Sequence, residues 1–151
     1  MSRETGVEQA LKAFLDGILD PEEFEIHYHI GGGLWGETEA HLRGTGAYRL
    51  SSTVTDGRQL RTYAGRVDTA EVRELTRVAL RVRLWEAGHV ADRRGRDNPD
   101  ARIDVTAGAE TYPVVLWVSE TDEVPAFNEV QQRILDLVRR LSGGEVLEVG
   151  R

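Results

Sequence analysis

The chain predicts an α+β fold in which a mainly antiparallel sheet of about six strands packs against two or three helices. Three observations carry this reading. Apolar residues recur at three- and four-residue steps over residues 3–18, but at every second residue from Phe24 onward, so the period switches from helix to strand at Asp20-Pro21. Glycine or Asp-Gly turns then divide residues 24–66 into four alternating runs. Helical spacing returns after Asp68 and again after Pro125, on either side of a second pair of strand-like runs. The order is α-β-β-β-β-α-β-β-α, and 151 residues suffice for one domain (1–151) with a continuous core.

The first helix, within residues 1–20, turns Val7, Ala10, Leu11, Phe14 and Ile18 inward. Phe24, Ile26, Tyr28 and Ile30 alternate with Glu25, His27 and His29, giving a strand with one dry and one wet face. Thr38, Ala40 and Leu42 alternate with Glu37, Glu39 and His41 in its expected hairpin partner. Gly44 and Gly46 bracket the next turn, and Asp56-Gly57 joins AYRLSSTVT to RQLRTYAGR. Asp68 with Glu71 forms a capping-box start to a helix that buries Val72, Leu75, Val78, Ala79 and Val82 and runs through Trp85. Residues 86–100 read as a long polar loop closed by Asn98-Pro99. ARIDVTA and TYPVVLWVS follow as a strand pair around Gly108, the second an unbroken apolar run expected to be central and covered on both faces. Pro125 opens the last helix, Val130, Ile134, Leu137, Val138 and Leu141 form its stripe, and Gly143 ends it.

Composition narrows the function classes. No cysteine is present, which excludes disulfides, thiolate metal sites and thiol nucleophiles. The N-terminal residues lack the apolar run of a signal peptide and no window approaches a membrane span, so a soluble cytoplasmic protein is expected. The net charge of -7 argues against nucleic acid as a partner and suits a basic protein partner. Charge is unevenly placed: residues 1–57 carry ten acids and four bases, 58–102 seven and eleven, and 103–151 nine and four.

The stretch FEIHYHIGGGLWGETEAH, residues 24–41, supports three readings. Gly31, Gly33 and Gly36 match a dinucleotide-loop spacing, with Asp56 about 20 residues on as the ribose acid. A phosphate loop must open a helix, however, and ETEAHLRG is halted by Gly44 after about two turns. In the second reading, a loop centred on Gly33 sets His29 opposite Glu37, His27 opposite Glu39 and Glu25 opposite His41. His27, His29 and His41 then become candidate ligands for zinc or another divalent metal, because His-x-His on a strand aims two imidazoles the same way. Without a metal, the same residues form a solvated or partner-covered face. The third reading concerns the tip, where Leu34 and Trp35 either stand out as an apolar anchor for a protein partner or fold back over the end of the core.

Other candidates have simpler explanations. Arg73, Arg77 and Arg81 share one side of a helix, but Glu71 and Glu74 interrupt them and ion pairing accounts for the pattern. The serines lack a nucleophile elbow, and His89 has no evident base partner among Asp92, Asp97, Asp100 and Asp104. The case these residues make for an enzyme is weak.

GGGLWG and the run YPVVLWVSETDEVPAFNEVQQRILDLV resemble the emfourin-type protease-inhibitor domains over about a third of the chain. Two additional strands and the N-terminal helix depart from that plan, and the resemblance transfers no functional residue. The sequence therefore leads to a non-catalytic protein-binding module of an inhibitor or bacterial immunity type, with Leu34, Trp35, Glu37 and Glu39 as contact residues. The alternative is a metal-binding protein or metal-dependent enzyme using His27, His29 and His41.

Overall fold

The computed structural model describes residues 3–31, 37–53, 60–87, 100–117 and 123–143. Three helices, α1 (Arg3–Leu15), α2 (Thr69–Arg81) and α3 (Pro125–Ser142), pack on one six-stranded sheet. The strands are β1 (Phe24–Gly31), β2 (Glu37–Arg43), β3 (Ala47–Thr53), β4 (Leu60–Arg66), β5 (Asp100–Ala107) and β6 (Glu110–Trp117). Their spatial order is β4-β3-β2-β1-β5-β6, and every neighbouring pair is antiparallel. The α+β class and element order agree with the sequence reading. No helix among the described residues is long and apolar enough to cross a membrane.

The position of β1 organises the sheet. It is bonded to β2 on one side and β5 on the other, so its four dry residues sit under the helices near the middle of the core. Phe24 stacks on Phe14 of α1 with ring centroids 4.2 Å apart and planes within 1°. Phe24 and Phe14 are both buried, and removing rings of this size from water stabilises the fold by about 1.5–3 kcal/mol each. Tyr28 is fully buried, and its hydroxyl accepts a hydrogen bond of 2.9 Å from Gln131 Nε2 of α3, itself 3 % exposed. Leu75 of α2 and Ile134 and Val138 of α3 line the same side of the sheet as Ile26, Ala40, Leu42 and Leu50. All three helices thus cover the face that Phe24, Ile26, Tyr28 and Ile30 share.

Several boundaries differ from expectation for local reasons. α1 stops at Leu15 rather than Ile18, because Gly17 takes φ +76° and the Ile18 and Leu19 amides turn back to the Ala13 carbonyl. Ile18 is therefore 80 % exposed instead of buried. Asp68 caps α2 by accepting from the Ala70 amide at 2.9 Å, but the Glu71 carboxylate pairs with Arg140 of α3. α2 ends at Arg81, and a left-handed Arg83 leads into a short 3-10 turn, Leu84–Glu86, that buries Leu84 and Trp85.

The largest correction concerns β6, which is an edge strand rather than a central one. Val114 and Leu116 are buried beneath the helices, whereas Pro113 and Val115 on the opposite face are only partly covered. Pro113, lacking an N–H, is compatible with an edge and would break a ladder bond inside a sheet.

The tight turn between β2 and β3 depends on Gly46, with φ +98° and an idealised Cβ only 2.1 Å from the Val67 carbonyl oxygen. Any side chain here must displace backbone.

The Tyr28–Gln131 pair gives a test of the core. Tyr28→Phe should lower the unfolding free energy by about 1–3 kcal/mol, because it leaves the Gln131 amide buried without that acceptor. Urea denaturation should show a lower midpoint at unchanged slope, and Gln131→Leu added to Tyr28→Phe should recover part of the loss.

Candidate functional site

The helices leave the other face of the sheet uncovered by any described element, and its centre is ionisable. β1 contributes Glu25, His27 and His29, β2 contributes Glu37, Glu39, His41 and Arg43, and β5 contributes Arg102 and Asp104. Each lies at the alternate position to a core residue, so the strand pleat alone sends it to this face.

The register differs from the expected one by two residues. His27 is opposite His41, His29 opposite Glu39 and Glu25 opposite Arg43, where a loop centred on Gly33 would have set His27 opposite Glu39. An even shift preserves which face each side chain occupies and changes only its neighbours. The expected His–Glu pairs survive as diagonal contacts: His27 Nε2 lies 3.3 Å from Glu39 Oε1, His41 Nδ1 3.4 Å from Glu25 Oε2, and His29 Nε2 3.7 Å from Glu37 Oε2. The direct opposition stacks the His27 and His41 rings at 4.1 Å between centroids and 10° between planes.

β5 adds a residue that the sequence reading did not place at the site. Asp104 is opposite His27, only 7 % exposed, with its Oδ2 3.5 Å from His27 Nδ1 and its Oδ1 accepting from Arg102 Nε at 3.2 Å. Asp104 lies between Ile103 and Val105, which marks it as a wet-face position. The pairing of β5 with β1, which brings it to His27, carries no comparable mark in the sequence.

These contacts set the charges. The Asp104 carboxylate raises the His27 pKa above its ordinary value, helped by Glu39 and opposed by burial. For Asp104, burial acts upward as the largest influence, but His27 and Arg102 together hold the carboxyl below its usual range. Glu25 is lowered chiefly by the His41 ring against burial, with Arg43 and His27 assisting.

The described residues also dispose of other candidates. Residues Glu37–Arg43 form a strand, not the helix that a dinucleotide loop requires, so the cofactor reading of Gly31, Gly33 and Gly36 is excluded. Arg73 donates to the Leu15 carbonyl at 2.8 Å and lies over the Phe14 ring, Arg77 pairs with Glu74, and Arg81 pairs with Glu129. Leu34, Trp35, Asp56 and His89 lie outside the described residues. Of the three predicted histidine ligands, His27 and His41 come together with Glu39, each offering a donor atom within 4.8 Å of the others, while His29 stands apart beside Glu37. The chain matches no known family model and no curated protein.

Folding stability should be greatest between about pH 4 and 6.5, bounded by the unfolded values of Asp and His. The lowered Asp104 contributes above about pH 3.9, and its contribution is lost as pH falls through the folded pKa. The raised His27 contributes below about pH 6.5, and its contribution is lost as pH rises through the folded pKa. Urea unfolding carried from this range to pH values above the folded pKa of His27 should show an alkaline decline of about 0.2–1 kcal/mol from the His27–Asp104 pair. His27→Asn should flatten it; an unchanged decline would remove His27 as its source.

Proposed function

We propose that the protein is a cytoplasmic, non-catalytic protein-binding module that receives a basic partner on the face of its sheet that no described element covers. The single observation that carries this reading is the segregation of the sheet: three helices on one face, and on the other a cluster in which Glu25, Glu37, Glu39 and Asp104 surround the imidazoles. A net charge of -7 favours encounter with a positively charged protein. Glu37 and Glu39, on β2, are the contact carboxylates of this reading, and Leu34 and Trp35, between β1 and β2 in sequence, are its apolar anchors. An inhibitor or a bacterial immunity protein fits this description, since both act by occupying a partner's surface.

A photo-reactive amino acid at Ser51 of β3, opposite Glu39, should capture a discrete basic protein in the source cells, whereas one at Asp136 of α3 should not. Glu37→Lys with Glu39→Lys should weaken that capture by about tenfold or more, equivalent to 1.4 kcal/mol, in a variant that circular dichroism shows to be folded. Trp35→Ala should also reduce it. Equal capture from the helical side, or capture indifferent to charge reversal, would refute the assignment.

A further inference from the structure

One imidazole lies between two carboxylates. His27 Nδ1 faces Asp104 Oδ2 at 3.5 Å and His27 Nε2 faces Glu39 Oε1 at 3.3 Å. A neutral imidazole has one N–H, so it can donate to only one of these acceptors, and its remaining lone pair then confronts the other. Two species relieve that conflict: a second proton, or a cation seated between the ring nitrogen and the carboxylate. His41 favours the second, since its stacked ring, 4.1 Å away between centroids, brings another imidazole to the place where such a cation would sit.

We infer that His27, Glu39 and His41 form a site for a divalent transition cation of the zinc class. Two imidazoles and a carboxylate are a donor set that suits zinc, and three protein donors leave a coordination position open to solvent. With metal–donor bonds of about 2.0–2.2 Å, neighbouring donors in a tetrahedral site are about 3.3–3.5 Å apart. The His27 Nε2 to Glu39 Oε1 distance of 3.3 Å already matches, and all three donors fall within 4.8 Å of one another. Closure requires the parallel His27 and His41 rings to tilt until their nitrogens converge.

The surrounding carboxylates strengthen the case beyond a mere cluster of ligands. Asp104 stands at His27 Nδ1 and Glu25 at His41 Nδ1, the latter at 3.4 Å. A carboxylate at Nδ1 holds the proton there, fixes the ring orientation and leaves Nε2 as the more basic donor, an arrangement that supports metal-bound histidines generally. Asp104 is itself held by Arg102 Nε at 3.2 Å, so it is a positioning residue anchored on a third strand. His29, paired diagonally with Glu37, lies outside the set. This inference shares Glu39 with the partner-binding reading but does not depend on it.

The test uses the full chain, stripped of metal with a chelator and titrated with Zn²⁺ by calorimetry and with Co²⁺ by visible absorption. Uptake of one equivalent per chain is expected, with intense Co²⁺ bands of low coordination number. Glu39→Gln, close to isosteric, and His41→Asn should each weaken binding at least tenfold, Asp104→Asn about 10–100-fold, and His29→Asn not at all. Circular dichroism would establish that each variant is folded. Should a variant fail to fold, paramagnetic broadening by Co²⁺ in the wild type decides the ligand set: the His27 and His41 ring signals must disappear before those of His29. Absence of stoichiometric uptake, or uptake unaffected by Glu39→Gln and His41→Asn, would overturn the inference. Because the titration contains no protein partner, its failure would leave the cross-linking result standing.

Discussion

The structure depends on one constraint, the placement of β1 inside the sheet with a dry face of Phe24, Ile26, Tyr28 and Ile30 and a polar face of Glu25, His27 and His29. A strand bonded on both edges cannot slip by one residue without exchanging its faces, which would bury two imidazoles and a carboxylate and expose four large apolar side chains. The energetic difference between those arrangements is many kcal/mol, at about 1.5–3 kcal/mol for each large apolar side chain alone. The core on one side therefore enforces which ionisable groups share the other. The ionisable face is held in place by hydrophobic burial that it does not share.

That face is costly in isolation. Half-buried carboxylates and imidazoles lose hydration, and only mutual pairing offsets the loss. His27 shows how closely the balance is set: burial pushes its charged form down while Asp104 and Glu39 push it up. A surface selected only for solubility would place such groups farther apart and more exposed. Instead, His27 and His41 stack, Asp104 is nearly buried beside them, and Arg102 bonds to it from two residues away on the same strand. A bound cation and a basic partner protein both draw on the carboxylates of this face, which is why one face supports the two proposals without either requiring the other.

Much of this was legible in the sequence, and the failures have physical causes. Alternation in β1 and β2 placed every side chain on its correct face, because the pleat has a period of two regardless of loop length. The register differs from the expected one by two residues because a run of three glycines, Gly31 to Gly33, carries no sequence cue to the centre of the connection. Asp104 is not legible as a partner of His27 because a sheet neighbour far along the chain leaves no local signature; only the insertion of β5 beside β1 makes the two adjacent. In β6 the cue was present but outweighed. Pro113 pointed to an edge while the apolar run pointed to the interior, and the run is satisfied by burial of Val114 and Leu116 on one face. Ile18 had the right spacing for the stripe of α1, but Gly17 ended the helix before it.

The central claim, that β1 and β2 pair in the register that stacks His27 on His41, is tested most directly by proton NMR of the wild-type protein. Strong nuclear Overhauser contacts between the His27 and His41 ring protons, together with cross-strand backbone contacts pairing His29 with Glu39, are the predicted result. Backbone contacts pairing His29 with Glu37, without ring contacts between the two histidines, would contradict it and disperse the site.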